Sequence, residues 1–462
     1  MTLVIVYWLV LFIYSIIMWK RQRTEASFLV YERKSGSFIV AMSLTSLVFG
    51  ASSVFGLAGY AYTYNLNAIW WTLSGIIFLI ILRMVFLSRL VDLKAYTISD
   101  TVSSVFGPKY KIITSALILI SWIMILAVQI IAGGNILSMI TGNRELSYIL
   151  FCMIFFSYTF VTGQSGAIRT SWLQTFLMII GIALLLWYVV SIYGTLPDKK
   201  VQLSFGFNNT FTPGFFLNIF IPVGLSYLFG PDIYSRIFTA RNVKSAGRGI
   251  IAACVLITVI SIMIVLIGVY SAPILGKVSV PDQIIPTLAS MQFSGVLKSL
   301  ILVLLISIPL SGADAMLANM ATYLGKDIAG GIYTATTGRS SEKMSVILIR
   351  LSMIIISAAA VITALNSKSI IPTLLIAYKI FSVVVVPFIM VSMLSLKYNV
   401  KWENRALKIV LAVYTILSAG VVIAFEMKLI SSSIQYLPLY LTGINISMFL
   451  ALFLGMKLLH RK

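Results

Sequence analysis

Apolar blocks of about twenty residues recur from one end of this chain to the other, each long enough to cross the hydrocarbon core of a bilayer. That single feature removes most folds. In lipid the backbone must satisfy its own hydrogen bonds, so a spanning chain is helical or forms a closed β-barrel. The blocks are continuous rather than alternating, which excludes the barrel. Composition agrees, with 60% of the 462 residues hydrophobic and 10% charged, against about 25% charged in a soluble domain. The expected fold is an all-α polytopic membrane protein, a single transmembrane domain over residues 1–462.

Thirteen segments can be drawn, at 2–19, 37–63, 67–87, 112–140, 146–162, 170–193, 214–230, 249–275, 297–324, 344–365, 370–394, 406–426 and 436–459. The first resembles the apolar part of a secretory signal. It is long, lacks a preceding basic flank and meets Lys20, Arg21 and Arg23 on its far side, so it reads as a retained span. An odd number of spans puts the termini on opposite sides. With the N-terminus outside, 26 of the 34 Lys and Arg fall inside, 7 outside and one mid-span; the 13 Asp and Glu divide 8, 4 and one. The inner side then carries +18 and the outer +3, the positive-inside asymmetry of an N-out, C-in chain in the plasma membrane.

The net charge of +21 is thus a topology signal. No zinc-finger spacing, RNP motif or separate basic domain points to a nucleic-acid partner. Cys152 and Cys254 lie in apolar blocks and His460 in the basic tail, which leaves no zinc set and no catalytic triad. Neither an enzyme nor an organic cofactor is expected. The outer connections 195–213 and 276–296 are long enough for short lids. Inside, Tyr96-Thr97-Ile98-Ser99-Asp100 predicts the start of a short amphipathic helix ending at Phe106-Gly107-Pro108.

Polar residues within the spans carry the functional signal. The second segment holds Gly50, Gly56 and Gly59 with the hydroxyls of Ser43, Thr45, Ser46, Ser52 and Ser53. Small residues serve close helix packing; they equally suit a break near Gly50–Ser53 that frees carbonyls for an ion. In the seventh segment Pro222 and Gly224 can unwind the middle. Two broken helices five segments apart are the expectation for a five-plus-five inverted-repeat transporter with its site at the midplane. Repeat one would cover 37–193 and repeat two 214–394, with 2–19 before them and two helices, 406–459, after.

In the ninth segment Pro309 has no N–H, which leaves the Leu305 carbonyl without a helical partner. Ser311, Ala315, Ala318 and Thr322 form a small-residue stripe, and Asp314 is the only acid deep in any segment. A carboxylate at mid-bilayer costs at least about 2.5–3.5 kcal/mol on insertion scales. Asp314 is therefore a functional centre or a protonated acid held structurally. Three readings fit Lys379 in the eleventh segment: it snorkels to an interface, pairs with Asp314, or meets an anionic substrate. Gln129 faces the bundle as a substrate-site candidate, joined by Ser52 and Ser53 at the expected break. Trp70 and Trp71 read as interface anchors.

Five stretches in order resemble the sodium/solute symporter family over nearly the full length. They are Gly50-Ala51-Ser52-Ser53-Val54-Phe55-Gly56 with Gly59 and Tyr60, Tyr96 to Asp100 with Phe106-Gly107, Gly163 to Gln174, Pro231 to Ala240 with Arg236, and Leu310 to Ala318 followed by Asp327-Ile328. The resemblance implies the five-plus-five fold and a sodium ion between the first helix of repeat one and the third of repeat two. Its ligands would be backbone oxygens of Ala51, Val54 and Ile308 with the hydroxyl of Ser311. Tyr227 would be a substrate-side aromatic.

This chain also departs from the family pattern. Gly312 stands where a hydroxyl normally follows Ser311, and Ser171 where members with a second sodium site place a carboxylate. Asp314 replaces a serine, and Val223 the tryptophan usual in proline carriers. Asp314 then reads as a carboxylate moved to the facing wall of the site. The expected function is alternating-access import of a small polar organic solute with sodium. The rivals are proton coupling through Asp314, with Lys379 as counter-charge, and a transport-incompetent sensor of the same fold.

Overall fold

The computed structural model describes residues 2–19, 25–194, 203–276, 278, 280–292, 295–339, 341–367, 370–402, 404–426 and 436–459, with side chains described except at 2, 52, 290–299, 405 and 459. Lys20, Arg21 and Arg23, used above for topology, lie outside these residues, as do His460 and 195–202 of the first of the two long connections.

The described chain is all helix, with an isolated bridge between Ser35 and Ala240 and no strand. Among the described residues nine helices are long and apolar enough to cross a membrane, or ten if a pair bent by 46° counts as one span. In chain order the helices that build the site are α1 (Thr2–Trp19), α2 (Ser37–Val48), α3 (Leu57–Tyr64), α4 (Trp70–Val85), α5 (Ser99–Phe106), α6 (Pro108–Thr141) and α7 (Arg144–Tyr193). After them come α8 (Pro213–Phe229), α9 (Pro231–Ile237), α10 (Val243–Leu275), α11 (Ile284–Gln292), α12 (Gly295–Thr322), α13 (Glu342–Asn366), α14 (Ile370–Val384), α15 (Val386–Tyr398), α16 (Arg405–Glu426) and α17 (Leu437–Leu459).

Local chemistry sets these bounds. Asn143, Thr212 and Asn242 accept the exposed N–H groups that open α7, α8 and α10. Segments five and six run together as the 50-residue α7, which changes direction at Gly163 (φ 58°, ψ −151°), a conformation that side chains with a Cβ rarely adopt. The eleventh segment divides into the bent pair α14 and α15. Pro309 is accommodated inside a continuous α12.

Burial ranks the helices. In α12, 94% of the apolar window is buried, against 28% in α17, so α12 is the central post and α17 is peripheral. It packs against α2, α6, α7 and α13. The outward face of α13 (Ile347, Leu351, Ile354, Ile355, Ile362) remains exposed and apolar, as lipid contact requires.

Two short helical lids lie at connections of the bundle. In the first, α5 begins where expected, with Asp100 Oδ2 accepting the N–H groups of Tyr96 (2.8 Å) and Thr97 (3.0 Å). Lys111 bridges Asp100 (2.7 Å) and Asp327 (2.9 Å). Burial opposes the charge on Asp100, but the Lys111 ammonium and the two N–H groups outweigh it and hold the carboxyl below the usual range. Arg33 donates to the carbonyls of Lys94 and Ala95 in this lid and of Phe238 beyond α9. In the second, α11 is anchored by Asp282, whose Oδ2 accepts the first N–H of α14 at Ile370 (2.8 Å). Burial raises the Asp282 carboxyl against the lowering effect of the Ile370 and Ile371 N–H groups.

Candidate functional site

Two helices are interrupted in the buried heart of the bundle. The first break follows α2: Phe49 leaves the helical region (φ −89°, ψ 51°), and a π-turn at Ser52–Gly56 leads into α3. Gln129 of α6 fills the gap. Its Oε1 accepts the Ala51 N–H at 2.8 Å, which satisfies a donor that the break would otherwise orphan. A Cβ on Gly50 would lie 2.4 Å from Gln129 Nε2, and one on Gly312 2.8 Å from its Cδ. The two glycines form a notch for the amide, which gives Gly312 a structural reason. Ala51 and Val54 lie at this break, with Ile308 and Ser311 on the adjoining α12, all buried. The Ser311 hydroxyl touches that of Ser46, a residue the sequence reading had not singled out for the ion.

The second break corrects an expectation. Helix α8 runs straight through Pro222 and Gly224 and ends at Phe229; the interruption lies at Gly230 (φ −64°, ψ 130°), before α9. Pro231 has no N–H to donate and biases its predecessor to extended backbone, so the chain stops there rather than at Pro222. Between the two breaks lies a cavity lined by Trp122, Gln129, Tyr227, Asp232, Met316 and Tyr378, among others. Its free space is about 20 Å³, room for a water rather than an organic solute, so loading requires the surrounding helices to part.

Of the expected substrate residues, Gln129 and Tyr227 line this cavity, and Ser53 sits beside Tyr227. The side chain of Ser52 is outside the described residues. Lys379 is a correction. Its Nζ lies 2.8 Å from Glu426 Oε1 at the end of α16, so it meets neither Asp314 nor the cavity. The reason is packing: α14 turns that face toward α16, where Glu426 neutralises it. Asp232 was missed because the seventh segment stopped at Gly230 and left it to an inner loop. The Gly-Pro pair that ends α8 is the signal that could have found it.

Asp314 sits in a different polar cluster. Tyr158 donates to its Oδ2 at 3.1 Å. Gln174 and the Ala315 N–H also bond to it, and Gln174 reaches Tyr7 of α1 and Tyr158 as well. Arg236 of α9 acts on it by charge, with Nε and Nη1 buried without a hydrogen-bond partner. Arg236, 1% exposed, is therefore the counter-charge that the sequence reading had sought in Lys379. Ser171 turns inward and donates to the Ala167 carbonyl (2.5 Å).

A helical bundle with two interrupted helices meeting at a small buried polar cavity defines a secondary transporter. The chain belongs to the sodium:solute symporter family, whose profile matches residues 28–407. It is 25% identical over 369 residues to the sodium/pantothenate symporter of Haemophilus influenzae, covering 75% of each chain. Its fold is similar to a substrate-bound, outward-open Na⁺-coupled sialic acid symporter (TM-score 0.79, 15% identity, 97% of this chain and 95% of that one). It is also similar to a nucleobase-cation-symport-1 family transporter in a closed conformation (TM-score 0.64, 14% identity, 94% of each chain). The protein is a multi-pass integral protein of the plasma membrane.

Proposed function

We propose that this protein imports a small polar organic solute together with sodium by alternating access, with thirteen spans in the N-out, C-in orientation. The observation that carries the reading is the pairing of the α2 break with α12. Ser46 and Ser311 meet there, and backbone oxygens of Ala51, Val54 and Ile308 would complete a set of neutral oxygens of the kind a hard cation prefers. Gln129 ties this ion site to the solute cavity, since its amide spans the notch between Gly50 and Gly312 and its side chain lines the cavity wall. Occupancy of one site then biases the other.

A buried carboxyl among Tyr7, Tyr158, Gln174 and Arg236 favours a second coupling position at Asp314, for a proton or another cation. Thermal stability of the purified protein in sodium and in potassium tests the main reading. Sodium should stabilise it selectively, and Ser311→Ala should shift the half-saturating concentration upward about tenfold. Equal stabilisation by both ions would sink sodium coupling. If Asp314→Asn leaves sodium stabilisation intact and removes only the dependence on a pH gradient, Asp314 carries the proton.

A further inference from the structure

The cavity between the breaks has one charged wall. Asp232, on the first turn of α9, is the only charged side chain among its lining residues, and it faces a neutral, aromatic remainder. Trp122 and Tyr227 are buried, and Tyr378 stands on α14 across from them. Trp122 is fixed edge-on against Phe381, ring centroids 4.5 Å apart at 68°. Its Nε1 is buried, with the Asp232 carboxylate as its neighbour. Indole and carboxylate thus share one wall of the cavity.

The carboxylate has partners outside the cavity and still lines it. Its Oδ1 accepts the adjacent Ile233 N–H at 2.9 Å. Arg236, one turn on, acts on both Asp232 and Asp314 but does not line the cavity. A carboxylate beside three aromatic rings has the composition of a site for an organic ammonium, whose charge is attracted both by the carboxylate and by the ring faces. An anionic group would meet the Asp232 carboxylate with no cation among the described lining residues.

Resting on the symporter reading above, we infer that the transported solute presents a protonated or quaternary amine to Asp232, within the box of Trp122, Tyr227 and Tyr378. Asp232 is then the residue that sets solute charge. This separates the chain from a carrier whose recognised group is a carboxylate.

Binding to the purified protein in saturating sodium tests the inference with three probes. They are choline, its uncharged isostere with a tert-butyl group in place of trimethylammonium, and the anion pantothenate. Choline should bind at least about tenfold more tightly than the isostere, and pantothenate not detectably. In Asp232→Asn the choline preference should collapse to within about twofold, while sodium still stabilises the variant and so reports that it is folded. Asp232→Glu should keep the preference. Tighter binding of pantothenate, equal binding of choline and isostere, or binding of none of the three by a sodium-responsive protein would overturn the assignment. A protein indifferent to sodium fails the symporter reading instead, and the choline preference is then scored without sodium.

Discussion

The two breaks solve one problem in opposite ways. At Phe49–Gly50 the freed backbone is plugged by a neutral amide from another helix, and the neighbouring groups are hydroxyls and carbonyls. At Gly230–Pro231 the chain removes the donor instead, because proline has none, and the next residue turns a carboxylate toward the cavity. The first break takes its acceptor from Gln129. The second needs no plug and is free to offer charge. A neutral oxygen set suits a bare cation, whereas a single carboxylate among aromatic rings suits a larger organic one.

The sharpest way to break this contrast is to remove the plug. Gln129→Leu leaves the Ala51 N–H buried without an acceptor, which costs about 1–3 kcal/mol. Thermal denaturation in detergent should show that loss, together with loss of the sodium response. If the variant keeps wild-type stability, the first break does not depend on its plug. At the second break Pro231→Ala restores an N–H and relaxes the bias on Gly230. The expected outcome is a several-fold weaker solute affinity with sodium stabilisation unchanged. A variant weakened equally toward both would show that the breaks are one mechanical unit.

The lids extend the comparison with opposite signs. Asp100 is held below its ordinary value, so its contribution to stability is present above that value and is lost as pH falls through the lowered one. Asp282 is raised, so its folded environment favours the protonated form. Its contribution is fullest below the ordinary value of 3.8 and is lost as pH rises through the raised one. Acidification should therefore increase amide exchange around α5 while protecting the α11–α14 junction. Exchange measured by mass spectrometry that moves in the same direction at both lids would contradict this assignment, and Asp282→Asn should abolish the effect at α11.

What was readable in the sequence follows the range of the underlying interaction. Apolar blocks report a one-dimensional match to bilayer thickness, so the helical character, the short helix at Tyr96–Phe106 and the break near Gly50 were all legible. Gly312 looked like a lost ligand because its meaning lies in a contact with Gln129, remote in sequence. Asp232 was invisible for a related reason: a charge next to Gly-Pro at the end of an apolar run resembles a loop residue until α9 is seen to continue the span beyond the break. Pro222 and Pro309 show the converse. Both sit inside continuous helices, where neighbouring helices absorb the missing hydrogen bond.

Lys379 is where the smallest effect is expected, and it checks whether charge inside the apolar region is functional by default. The pair with Glu426 is partly exposed on both sides, 16% and 13%. An ion pair that keeps some solvent or headgroup access contributes about 1 kcal/mol or less. Lys379→Met alone strands Glu426 and should lower the melting temperature slightly. Lys379→Met with Glu426→Gln should recover most of that loss, and sodium and choline responses should stay at wild-type levels in both variants. A Lys379→Met protein with normal stability and a changed choline affinity would put the lysine back into the solute path, and the single-carboxylate account of the cavity would then have to include a second charge.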